Sequence, residues 1–215
     1  MARIGLLGGS FNPAHGAHRH ISLVALQQLR LNEVWWLVSP LNPLKSAAGM
    51  APLATRVARA KAIARHPRIK VTALEEQLGT RFAVDTVAAL QRRFPQHQFI
   101  WLAGSDIVAE LHRWRRWRHF LRAVPLAVVP RPGISLLGAP ALSWSGWSPV
   151  TPSRWTQAAL PAIISLHSRL RPESATEIRS ADPGWATDAR FDEKARSFDQ
   201  DGPRGRAPRH DHEEP

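Results

Sequence analysis

The sequence has no cysteine among its 215 residues. That absence excludes a disulfide framework, a thiol nucleophile and a cysteine-ligated metal. No apolar run approaches the roughly 20 residues that a membrane-spanning helix needs. The first residues carry one arginine and then a turn, not a charged leader with a long apolar stretch and a cleavage site. The expectation is a cytoplasmic protein. No Gly-x-x-x-x-Gly-Lys-Ser/Thr is present, so a P-loop is excluded, and His-Glu-x-x-His is missing as well. Acidic side chains are few: 17 Asp and Glu stand against 29 Lys and Arg, a net charge of +12. The arginines are spread along the chain, and no RNA- or DNA-reading signature accompanies them. Such a basic surface steers phosphorylated small molecules, a reading placed ahead of general nucleic-acid binding.

Hydrophobic residues make up 44% of the chain, enough for a globular protein with a substantial core. From Trp185 onward Asp, Arg, Gly, Pro, Lys and His dominate. The expected layout is one domain over residues 1–184 and a disordered charged tail over 185–215.

The chemistry is densest in Gly8-Gly9-Ser10-Phe11-Asn12-Pro13-Ala14-His15-Gly16-Ala17-His18. Ile4–Leu7 before it reads as a buried strand. Ile21, Leu23, Val24, Leu26, Leu29 and Leu31 after it recur at helical spacing. The order is strand, glycine turn, then a helix with two histidines three residues apart at its start. The glycines let a ligand approach the backbone. The helix start offers N–H groups and partial positive charge, and His15 and His18 share a face. Together these read as a phosphate site. A dinucleotide fingerprint needs another glycine spacing and a carboxylate about 20 residues on, where this chain has Ser39-Pro40. Two other readings stay open on the pattern alone: a zinc site from His15, His18 and His20, and a turn with two solvated histidines.

Further strands are predicted at Val34–Val38, Ile69–Val71, Gln98–Ala103, Leu126–Pro130 and Ala162–Leu166, with helices over 53–66 and from about 82 to 94. Glu75–Thr80 reads as a connection, and residues 134–154 as a surface excursion without a period. Ser39–Lys45 and Gly104-Ser105-Asp106 both leave the carboxyl end of a strand, where open α/β sheets bind ligands. Asp106 also suits a helix N-cap, as do Asp85 and Thr86 at the start of the 82–94 helix. Arginine and tryptophan alternate over Leu111–Phe120. That pattern fits nucleic-acid stacking or a membrane-surface helix, while Trp114 and Trp117, one helical turn apart, suit core packing equally well. Ser174, Thr176 and Arg179 offer two hydroxyls and a guanidinium to phosphate oxygens, or simply a capped helix.

Gly-Gly-Ser-Phe-Asn-Pro-x-His-x-x-His resembles the nucleotidyltransferase superfamily with the His-x-Gly-His signature. Within it the match is to bacterial nicotinate-nucleotide adenylyltransferases, which join nicotinate mononucleotide to ATP in NAD biosynthesis. Ala17 stands where that family has glycine, with Gly16 one place early. Ser174–Arg179 resembles the superfamily's second signature, Ile-Ser-Ser-Thr-x-Ile-Arg, from which Glu173 and Ala175 depart. Two signatures in the right order, roughly 160 residues apart, strengthen the resemblance. It covers residues 3–131 and resumes near 161–180.

The resemblance implies an α/β fold: a doubly wound parallel sheet, Rossmann-like, in a single nucleotidyltransferase domain. It implies catalytic roles for His15, His18, Lys45 and Arg179. It implies substrate binding by Gly8, Gly9, Ser10, Phe11, Asp85, Thr86, Gly104, Asp106, Trp114, Arg131, Ser174 and Thr176. Trp114 would lie under the pyridine ring, where cation–π attraction gives roughly 0.5–2 kcal/mol. Magnesium would bridge the phosphates of ATP without dedicated protein ligands. The implied partners are ATP and nicotinate mononucleotide, without nucleic acid or membrane, and the oligomeric state is left open. The alternatives are a relative using nicotinamide mononucleotide or phosphopantetheine, a nucleic-acid-binding module, and a regulatory relative that binds nucleotide without turnover.

Overall fold

Seven strands are described, the longer of them made by near-continuous apolar runs, as expected of a sheet covered on both faces. In the computed structural model, which describes residues 1–40, 49–132, 141, 147–168, 173–182 and 184–187, these are β1 (Arg3–Gly9), β2 (Glu33–Val38), β3 (Ile69–Thr72), β4 (Gln98–Gly104), β5 (Leu126–Val129), β6 (Ser148–Pro149) and β7 (Ala162–Ser165). They form one sheet in the order β3-β2-β1-β4-β5-β7-β6. Every pairing is parallel. Among the described residues the helices are α1 (Gly16–Gln28), α2 (Leu53–Ala64), α3 (Leu74–Gln77), α4 (Ala83–Arg93), α5 (Ser105–Glu110), α6 (Trp117–Ala123) and α7 (Ala175–Ala181).

Alternation along each strand sends neighbours to opposite faces. Trp36 packs in the core with Ile21, Leu26 and Val57 from α1 and α2. Trp35 packs on the other side with Leu90, Phe94 and Phe99. Burying each such side chain contributes about 1.5–3 kcal/mol. The doubly wound parallel sheet implied by the resemblance is the fold observed.

The chain order reverses between β1 and β4, the neighbours at the middle of the sheet. Because the strands are parallel, the residues after Gly9, Val38, Gly104 and Val129 all emerge on one edge. A crevice at such a switch point is where open α/β sheets place ligands.

Several local expectations change. Helix α2 stops at Ala64, because Arg65 turns left-handed (φ 34°) and Pro67 disfavours a helical His66. Glu75–Thr80 is not a plain connection, since α3 begins at Leu74 and buries Leu74 and Glu75. The 134–154 stretch holds the edge strand β6, and 133–140 and 142–146 lie outside the described residues. Just beyond it, Trp155 is buried and its indole N–H donates to the Leu29 carbonyl at 3.0 Å. Trp185 is also buried, 5.6 Å from the Arg59 guanidinium, so packing continues past the change in composition at that residue. Residues 188–215 lie outside the described residues.

Candidate active site

The turn after β1 is built around its aromatic residue. Phe11 adopts a left-handed backbone (φ 47°), a conformation that non-glycine residues hold only when their surroundings compel it. Its ring stacks on Trp36 at 5.1 Å and meets the His18 imidazole at 4.6 Å. Asn12 ties the turn down: its side chain donates to the Gly49 carbonyl and accepts from the Ala51 amide. The two glycines of the turn differ in what surrounds them. A Cβ on Gly8 would lie 2.6 Å from the Trp101 indole, whereas one on Gly9 would make ordinary contacts with Phe11 at 3.6 Å. Gly8 therefore makes room for the Trp101 indole. Ser10 is buried, its carbonyl held from below.

His15 stands at the N-cap of α1. Its backbone N–H donates to Nδ1 of His18 at 3.2 Å, and the two rings lie 4.0 Å apart. A neutral His18 accepting at Nδ1 carries its proton on Nε2, which makes that atom a donor. Burial, and then the nearby Arg131, lower the His15 pKa from 6.5 to about 4, against the opposing charges of Glu173, Asp106 and Glu177. His15 is therefore neutral at pH 7. Its Nδ1 is buried without a hydrogen-bond partner among the described residues. Among those residues no three His, Asp or Glu side chains gather into a group that could hold a metal ion. Ala17 is buried in the first turn of α1, which runs on regularly to Gln28.

At the end of β4 the N-cap is Gly104, not Asp106, which falls inside the first turn of α5. A Cβ on Gly104 would overlap the Asp106 carboxylate and Cδ of Arg131. The glycine thus lets these two side chains meet, with Nε of Arg131 3.8 Å from Oδ1 of Asp106. Half-exposed as it is, this pair adds little stability.

Arg131 carries the site to the far end of the chain by donating from Nη2 to the Glu173 carbonyl at 3.1 Å. Ser174 caps α7 in a reciprocal box with Glu177, both bonds 3.2 Å. Arg179 donates to the Thr176 hydroxyl at 3.2 Å and to the Asn12 carbonyl at 2.5 Å. The Glu173 carboxylate lies beside Gly16, 3.4 Å from where a Cβ would stand. Contacts thus connect His15 with His18, Asp106 with Arg131, Arg131 with the residue before Ser174, and Arg179 with Thr176 and the glycine turn. Lys45 lies outside the described residues.

On the other side, Thr86 is not a helix cap, because Phe82 holds that position. Thr86 is 0% exposed, its hydroxyl 3.1 Å from the Glu75 carboxylate and 2.9 Å from the Thr80 hydroxyl. Burial pushes the Glu75 carboxyl up, against hydrogen bonds from Thr86 and Ser39 that favour its charged form. Asp85 sits half-buried in the first turn of α4, where its charge suits the helix dipole. Trp114 is half-buried and meets Trp101 edge-on at 6.0 Å. Trp114 and Trp117 do not share one helix. A 3₁₀ turn over Leu111–Arg113 ends at Trp114, and a left-handed Arg116 (φ 50°) precedes α6. Trp101 therefore bridges the glycine turn to Trp114.

Reading the sequence for motifs passed over Asn12 as a tether, and Glu75 and Arg56 altogether. For Arg56 a signal existed: it repeats with Ala60 and Ala64 at intervals of four, the buried stripe of α2.

The fold is that of a nucleotidyltransferase, and the sequence pattern of the cytidylyltransferase-like family matches residues 6–181. A protein from Erythrobacter litoralis named probable nicotinate-nucleotide adenylyltransferase is 51% identical over 191 residues, covering 85% of this chain and 86% of that one. One of the same name from Parvibaculum lavamentivorans is 48% identical over 190 residues, covering 86% and 94%. The chain belongs to the nicotinate-nucleotide adenylyltransferase family. The solved structure of Plasmodium falciparum nicotinic acid mononucleotide adenylyltransferase complexed with NaAD shares the fold, with a TM-score of 0.66 at 16% identity, over 84% of this chain and 83% of that one.

Proposed function

We propose that this chain transfers the adenylyl group of ATP to nicotinate mononucleotide, giving deamido-NAD and pyrophosphate, in the cytoplasm. The observation that carries the reading is the Arg179 bond to Asn12, which brings the two signatures into contact. In the reaction the 5′-phosphate oxygen of the mononucleotide bonds to the α-phosphorus of ATP. The bond from that phosphorus to the β-phosphate bridge breaks in line, and pyrophosphate leaves. The substrate is its own nucleophile, so the protein contributes positioning and charge stabilisation.

His18 donates from Nε2 to the α-phosphate, where charge grows. Neutral His15 offers a buried ring N–H to the phosphate chain. Arg179, with Thr176 and the end of α7 at Ser174, holds the departing pyrophosphate beside Lys45. Gly8, Gly9, Ser10 and Phe11 shape the floor, and Gly104, Asp106 and Arg131 line the nucleotide side. Trp114 stacks on the pyridine ring. Asp85 and Thr86 bound that pocket, Thr86 from behind through Glu75. Magnesium would accompany ATP and supply charge neutralisation on its phosphates.

Pyrophosphate release with ATP and magnesium, run against nicotinate mononucleotide, nicotinamide mononucleotide and phosphopantetheine, tests the proposal. Release is expected with nicotinate mononucleotide foremost. Release with only another acceptor, or none, contradicts it.

A further inference from the structure

Arg56 is 1% exposed, in a helix whose other buried residues are Thr55, Val57, Ala58, Ala60 and Ala64. All four of its described acceptors are backbone carbonyls. Nε donates to Ala51 at 2.9 Å, Nη1 to Ser10 at 2.6 Å and to Ser39 at 2.7 Å, and Nη2 to Pro40 at 2.9 Å. Burying a cation without a carboxylate is costly, and only well-placed hydrogen bonds offset the loss of water. Burial lowers its pKa, as that cost requires.

The acceptors belong to three segments that surround the site. Ser10 lies in the turn between β1 and α1, Ser39 and Pro40 follow β2, and Ala51 leads into α2. One nitrogen, Nη1, spans the ends of two adjacent strands, which also touch through the Ser39 amide and the Gly9 carbonyl at 2.9 Å. Ala51 is gripped twice, at its carbonyl by Arg56 and at its amide by the Asn12 side chain at 3.0 Å. Asn12 in turn offers its carbonyl to Arg179. A guanidinium spreads five donors over three nitrogens in one plane, whereas an ammonium has three donors on a single atom and cannot reach all four carbonyls.

We infer that Arg56 is a positioning residue for adenylyl transfer: it fixes the Ser10–Asn12 turn, and through it the two imidazoles and Arg179, without touching substrate. This rests on the function proposed above.

The test uses the full chain and Arg56→Lys, which keeps the charge and loses the fork, with Arg56→Ala beside it. Folded fraction is followed by near-UV circular dichroism from the tryptophans. Expected for Arg56→Lys is a 10- to 100-fold lower kcat per folded molecule, with KM for ATP changed less than threefold. Expected for Arg56→Ala is partial recovery of kcat on adding millimolar guanidinium. The His15 and His18 ring resonances, read by NMR without substrate, should shift in both variants. A kcat loss that merely follows the folded fraction, unshifted histidine resonances, or a Lys variant that does not fold would each overturn the inference, the last by making Arg56 a condition of the fold. An inactive parent chain would instead fail the proposed function, and the histidine resonances would still decide the role of Arg56.

Discussion

The Arg179 guanidinium donates to the Asn12 carbonyl across 167 positions of the chain, at 2.5 Å. Residues legible as two separate signatures thereby become neighbours. Arg179→Ala removes the charge proposed to hold the leaving group and should lower kcat on the order of 10²-fold or more. The melting temperature should change little, because α7 has no fully buried residue. Steady-state kinetics alongside a thermal melt check this. A large drop in melting temperature with normal turnover would make the contact a structural tie only.

His18 is held by the His15 amide so that Nε2 remains the donor. His18→Ala should lower turnover on the order of 10²-fold while leaving the KM for ATP within a few fold, since the bond it loses strengthens as charge develops. An unchanged rate in folded protein would remove His18 from the chemistry.

His15 gives the pH dependence its sign. Its folded pKa of about 4 lies below the 6.5 of an ordinary histidine. Between those values the unfolded chain binds a proton that the folded chain does not, so protonation favours unfolding there. The contribution to stability is complete above pH 6.5 and declines as the pH falls toward 4. Urea unfolding at a series of pH values should show this loss in the parent chain and a shallower slope in His15→Gln. Equal slopes would mean that His15 titrates normally.

Gly8 and Gly16 separate packing from tolerance. A Cβ on Gly8 would meet the Trp101 ring, which is fixed edge-on against Phe120 and Trp114. Gly8→Ala should cost about 1–3 kcal/mol, the usual range for overpacking. It should also raise the KM for the mononucleotide through Trp114. Gly16→Ala adds only an ordinary contact near Glu173 and should be nearly neutral. Denaturation midpoints for both variants decide; the reverse order would contradict the packing.

Trp114→Ala should chiefly weaken nicotinate mononucleotide, raising its KM severalfold and leaving that for ATP nearly unchanged. Titration of each substrate at saturating levels of the other measures this. A defect confined to ATP would move Trp114 out of the pyridine pocket.

Six of the strands were legible because apolar runs of this length have few other uses, whereas β6 is the dipeptide Ser148–Pro149 and carries no such run. What escaped had physical reasons. Arg56 looked like one more surface arginine, since a hydropathy pattern cannot see carbonyls converging from three distant segments. Thr86 read as a cap because its partner Glu75 comes from another helix. Trp155 and Trp185 sit in stretches rich in polar residues, and only the assembled core shows what they cover. The break between Trp114 and Trp117 depends on one left-handed residue, Arg116, whose side chain gives no warning of it.

The account stands or falls on whether the opening turn and the last helix hold the same triphosphate. A crystal structure with a non-hydrolysable ATP analogue measures that directly. The expected result places the His18 imidazole and the Arg179 guanidinium each within hydrogen-bond reach, about 2.7–3.2 Å, of one phosphate chain. Phosphates bound to only one of them, with the other facing a separate cleft, would contradict it.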